Sequence, residues 1–110
     1  MKNDELYIAH ILGAIEKIEQ YLRDVSVGDF LAYGMLFDAV CRELGIIGEA
    51  ANNLSPAFQE KHNGIPWKKI IGLRNVLVHE YFGVSAEILW ETCQRSLPEL
   101  KKSLQSLRPE

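Results

Sequence analysis

Three side chains in the C-terminal half of this chain could do chemistry on a phosphate. They stand in the run Arg74-Asn75-Val76-Leu77-Val78-His79-Glu80-Tyr81: an arginine, four residues, a histidine, one residue, a tyrosine. Cleaving RNA without a metal needs the 2′-OH proton removed, the charge gathering on the phosphate neutralised, and the leaving oxygen protonated. A histidine changes protonation near neutral pH and can carry the proton work. An arginine fork matches phosphate oxygens and needs little reorganisation during reaction. The pair is sufficient in kind; as bare residue types it is unspecific.

The element that must position these groups begins at Pro66, whose missing N–H and fixed φ suit a first helical turn. Trp67, Ile70, Ile71, Arg74, Leu77, Val78 and Tyr81 then recur at helical spacing and share one face, predicting a helix from Pro66 to about Glu80. Arg74 is thus written into an apolar stripe. A guanidinium stays charged, so there it calls for a carboxylate, a phosphate or a wet cleft. On a straight helix Arg74 and His79 point about 140° apart, whereas Tyr81 lies within about 20° of Arg74. A site using both Arg74 and His79 therefore sits at the helix end, in a cleft with another helix, or between two subunits whose motifs face each other.

Charge is concentrated around this helix. The 110 residues hold 12 Lys+Arg and 15 Asp+Glu, a net of −3. From Lys61 to His79 stand Lys61, Lys68, Lys69 and Arg74 with no acidic residue, a local +4 that leaves −7 on the rest. An acidic chain with one basic segment suggests a local anion site rather than a surface that coats nucleic acid. Lys68 and Lys69 could bind RNA or form a solvated helix face.

Around the motif the pattern is helical throughout. A first helix is expected from Asn3 or Asp4, either of which can cap it, to about Arg23 or Asp24, with Tyr7, Ile11, Ile15, Ile18 and Leu22 as its stripe. After the connection Val25-Ser26-Val27-Gly28, Asp29 is placed to cap a long second helix reaching Asn52 or Asn53. Its apolar face is Leu36, Ala39, Val40, Ile47, Ala50 and Leu54. Gly34, Asp38, Arg42, Gly45, Glu49 and Asn52 form another face, which either meets a helix or ligand through its glycines or is solvated with an Asp38–Arg42 pair. Glu43 falls in the apolar sector, as a boundary residue or a buried hydrogen-bonding group. Leu54-Ser55-Pro56 breaks this helix and starts a short one to about His62, itself expected to be exposed and followed by Asn63-Gly64. Past Gly83, Ser85 can cap the last helix, where Pro98 interrupts the stripe Leu89, Cys93, Leu97, Leu100, Leu104 and Leu107 and should kink or divide it. The expected fold is one all-α domain over residues 1–110, an up-and-down bundle of four main helices plus a short connecting one.

Other classes find little support. No apolar run approaches the roughly 18 residues needed to span a bilayer, and the first residues lack the order of a secretory signal. Cys41 and Cys93 stand outside any C-x-x-C pair and read as small buried hydrophobes of a cytoplasmic protein. H-E-x-x-H, Walker and G-x-S-x-G patterns are missing. His10, His62 and His79 each lack a glutamate three residues earlier, which disfavours a bundle di-metal site, so no metal or cofactor is called for.

Arg74, His79 and Tyr81 together resemble the R-x4-H-x-Y signature of the HEPN superfamily, in its HepT-like branch of small prokaryotic toxins. "IIGEAANNLS" (Ile46 to Ser55), "IPWKKIIGLRN" leading into the motif and "SLPEL" near the last helix are similar to that branch as well, and the likeness covers nearly the whole chain. The resemblance implies a helical homodimer with Arg and His of both subunits lining an interface cleft. It also implies a metal-independent endoribonuclease toxin acting on tRNA or mRNA, encoded beside a minimal nucleotidyltransferase (MNT-type) antitoxin that transfers AMP to the motif tyrosine. Carried over, Arg74 holds the scissile phosphate, His79 is general acid/base, Asn75 supports the site and Tyr81 is the adenylylated residue. Glu49 is a candidate partner for Arg74. Two other readings stay open: a non-catalytic HEPN module that binds a nucleotide or serves as nucleotidyltransferase partner, and a plain dimeric helical adaptor in which Arg74 pairs with Glu49 and His79 caps a helix.

Overall fold

The computed structural model describes residues 2–79 and 85–107, the side chains of Lys2, Val78 and His79 excepted. The sequence expectations for Glu80, Tyr81 and Gly83, and for the side chain of His79, lie outside the described residues.

The described chain is all-α. Helix α1 spans Lys2–Tyr21, α2 Val27–Ala32, α3 Gly34–Asn52, α4 Pro56–Lys61 and α5 Trp67–His79. After Ser85 come α6 (Ala86–Glu91), a π-helical turn (Thr92–Ser96) and α7 (Leu97–Gln105). Helix α3 lies at the centre, packed by α1 on one side and α5 on another, while α7 returns against α1. Ile11, Ile15 and Ile18 of α1 meet Val40, Leu44 and Ile47 of α3, with Leu89, Leu97 and Leu104 from the C-terminal helices closing the core. In α1, α3 and the C-terminal helices the stripes that the periodicity marked are largely the faces that burial removes from water. Among the described residues no helix is long and apolar enough to cross a membrane.

Two expected helix starts are corrected. Asp4 caps nothing: it lies in the first turn of α1, 4% exposed, and accepts the Ser55 N–H on Oδ1 and the Ser55 hydroxyl on Oδ2, each at 2.8 Å. Its partner comes from a residue 51 positions away, out of reach of any local reading. The long helix expected after an Asp29 cap is two helices. Ser26 is the cap instead, its Oγ accepting the Asp29 N–H at 3.1 Å, so Val27 and Gly28 are already helical. Tyr33, extended at φ −109° and ψ 104°, then separates α2 from α3. The break lets Phe30 enter the core against Phe37 and Trp90, ring centroids 6.4 and 5.4 Å away. Helix α1 also ends earlier than expected, in a turn where Asp24 takes φ 60°.

Other ends follow local chemistry. Ser55 caps α4 through the Phe58 N–H, and Ser85 caps α6 through the Ile88 N–H. Pro98 has no N–H to give the preceding turn, and the helix widens into the π-helical turn just before it. His62 is partly buried rather than exposed: its ring lies 4.6 Å from Phe58, and its carbonyl accepts the Trp67 indole N–H at 3.1 Å.

Candidate functional site

Arg74 is brought to its place by the contact of α5 with α3. A Cβ placed on Gly48 would stand 2.5 Å from Arg74 Cβ and 3.1 Å from the Ile70 carbonyl oxygen, so the two backbones touch where only glycine leaves room. Gly34 and Gly45, for which close approach and a solvated face were both open, face open space. The next residue, Glu49, lies within salt-bridge distance of Arg74, Nε to Oε1 at 3.3 Å. Arg74 Nη1 donates to Asn75 Oδ1 at 3.5 Å, at the long limit of a hydrogen bond. Glu49 is held from behind: Asn53 Nδ2 donates to its backbone carbonyl at 3.0 Å and reaches Oε2 at 3.5 Å.

Arg74 is less buried than its place in the stripe predicts. Its side chain is 43% exposed and that of Glu49 53%. The flexible stem carries the charge to the α3–α5 seam and out toward water. Among the described residues its contacts engage Nε and Nη1 of a guanidinium that carries five N–H donors. Asn75 and Lys68 are exposed on α5. Lys69, also exposed, lines a groove of about 480 Å³ with Ile47, Ile70, Leu73 and Leu100, and neither Arg74 nor Glu49 takes part in it. Arg74, Asn75 and Lys68 therefore lie on open surface, a setting that suits a polymeric ligand better than an enclosed small molecule.

The structure thus brings Arg74, Glu49 and Asn75 together and leaves Lys69 on another side of α5. Sequence reasoning missed Gly48 and Asn53. Asn53 could have been found from its i, i+4 spacing to Glu49; Gly48 stands in the quoted "GEA" segment but gives no local sign that it touches another helix.

Glu43, 1% exposed, accepts from Arg42 Nη1 at 3.0 Å and lies 3.5 Å from the Tyr21 hydroxyl, so it is a buried hydrogen-bonding group. Cys41 and Cys93 are buried and free. Burial, with Asp38 adding to it, pushes the Cys41 thiol up to about 11; burial, with Cys41 adding to it, pushes Cys93 up to about 12. Neither is a nucleophile at neutral pH. Among the described residues no three His, Cys, Asp or Glu side chains converge as metal ligands.

Several known proteins are similar in sequence to this chain. A family model described as ribonuclease HepT-like matches residues 11–107. A protein provisionally named an RNase from Caldanaerobacter subterraneus subsp. tengcongensis is 43% identical over 107 residues, covering 97% of this chain and 96% of its own. One provisionally named ribonuclease HepT from Thermococcus cleftensis is 40% identical over 102 residues, 93% of each chain. A third, from Methanocaldococcus jannaschii, is named a gamma-glutamylcyclotransferase and, provisionally, an RNase; it is 41% identical over 109 residues, and this chain spans 49% of its length. No solved structure gives a significant match.

Proposed function

Because the chain belongs to the ribonuclease HepT-like family, we propose that it is a metal-independent endoribonuclease, the toxin of a toxin–antitoxin pair, with Arg74 and His79 as its catalytic residues. The observation that carries this reading is the state of Arg74: paired with Glu49 through Nε, nearly half in solvent, on the helix that also carries His79.

In the reaction, Arg74 binds the non-bridging oxygens of the scissile phosphate. His79 takes the proton of the neighbouring 2′-OH. The 2′-oxygen forms its bond to phosphorus as the bond to the 5′-oxygen breaks, leaving a 2′,3′-cyclic phosphate and a 5′-hydroxyl. The leaving oxygen receives a proton from an imidazolium. In a two-fold homodimer two histidines can share base and acid, and two arginines can share the phosphate. Glu49 orients Arg74, Asn75 supports it, and Lys68 and Lys69 hold flanking phosphates. Silencing is AMP transfer from ATP to the Tyr81 hydroxyl by an MNT-type nucleotidyltransferase, releasing pyrophosphate. If the ideal helical phase expected from the sequence holds to Tyr81, the tyrosine falls about 20° from Arg74, and the added phosphate would compete for the same arginine.

The Glu49–Arg74 pair alone also fits a non-catalytic helical adaptor, so the test must read chemistry and folding together. Purified wild type and His79→Ala are incubated with total tRNA in EDTA after thermal unfolding shows both folded. Cleavage by wild type alone is expected. If neither cleaves, the chain is a partner module, and AMP transfer to Tyr81 is tested next. Equal cleavage by both removes His79 from the chemistry.

A further inference from the structure

The contact at Gly48 is made with backbone. Of the three atoms nearest a Cβ there, two are the Ile70 carbonyl oxygen and the Arg74 nitrogen, at 3.1 and 3.2 Å, and the third is Arg74 Cβ at 2.5 Å. All belong to the one turn in which the Arg74 N–H bonds back to the Ile70 carbonyl. Touching carbon atoms keep about 3.5–4.0 Å apart, so even alanine at this position asks for roughly 1 Å more between the helices. No loose side-chain end stands among those atoms, so only movement of the turn that carries Arg74 gives relief. Gly13, Gly45 and Gly72, by contrast, meet nothing within 4 Å.

The site depends on that separation. Glu49 adjoins Gly48 and reaches Arg74 Nε at 3.3 Å, close to the limit at which an N–H···O contact holds. We propose that Gly48 is a positioning residue for Arg74: its missing side chain seats the Ile70–Arg74 turn directly on α3, at the separation where Glu49 can orient the guanidinium toward an incoming phosphate. The catalytic consequence rests on the ribonuclease reading; the geometric one does not.

The test introduces Gly48→Ala into a Gly13→Ala background, which fills open space on α1 with a better helix former and supports the fold. Three quantities are read beside that background and beside Glu49→Gln: the 15N–1H signal of Arg74 Nε, kcat and KM on a short RNA, and the unfolding temperature. The expected result is an Arg74 signal moved toward its position in Glu49→Gln. With it kcat falls about 10- to 100-fold while KM stays nearly constant, as when an interaction specific to the transition state is lost. An Arg74 signal left in place overturns the proposal, and so does a change in KM without one in kcat. Failure of Gly48→Ala to fold in this background also overturns it, since Gly48 then serves the packing of the two helices as a whole. If the wild type leaves RNA intact, the ribonuclease reading falls, and the Arg74 signal alone decides the role of Gly48.

Discussion

Arg74 and Glu49 each keep about half of their side chain in solvent, at 43% and 53%. A pair so exposed is worth no more than about 1 kcal/mol. Arg74→Ala should therefore leave the unfolding temperature nearly unchanged while lowering kcat on RNA by about 10²–10³-fold, as removal of a preorganised charge donor does. Thermal unfolding and cleavage rates on one preparation check this, and a large loss of stability would favour the adaptor. Arg74→Lys keeps the charge but loses the fork, so it should recover little activity. The two thiols bear on stability, not catalysis. Both are raised above their ordinary value of 9.0, so the folded protein keeps these protons when the unfolded chain has lost them. They impose no pH dependence below about 9; stability then falls as pH climbs toward 11 and 12. Urea unfolding at neutral pH and at about pH 10 should show this decline, and replacing both cysteines by alanine should flatten it.

At the scale of elements, polar contacts between distant segments hold the bundle in register. Asp4 fastens the start of α1 to the α3–α4 junction, and the same Ser55 hydroxyl that it accepts from caps α4. Asp4→Ala leaves two part-buried donors without their carboxylate and should cost about 1–3 kcal/mol, read in urea unfolding, with cleavage per folded molecule unchanged. A change in activity matching the loss of stability would mean that this clasp also shapes the site. The ends of α4 and α6 were legible because Ser55-Pro56 and Ser85 act on residues three positions away. The break at Tyr33 was not, because it answers to Phe30 reaching Trp90, far along the chain.

For the whole molecule, the proposal joins two copies so that each contributes an arginine and a histidine to one cleft. Arg74→Ala and His79→Ala should each be inactive alone, and mixing them under conditions of subunit exchange should restore part of the cleavage. Sedimentation of the wild type as a dimer is the accompanying requirement. A monomer, or a mixture as silent as its parts, would place the chemistry within one chain.

The sequence by itself determined the helical class, most of the stripes that form the core, the Ser85 cap, and the presence of Arg74 and His79 on one helix, because periodicity and capping act within a few residues. Spacing alone allowed Glu49 to meet Arg74; it could not require it. Only the tertiary structure decided that Asp4 is a buried clasp, that Arg74 stands at a half-open seam, and that Gly48 lets α5 lie on α3. Each of these depends on where a second helix passes, and that is set by the packing of the whole core.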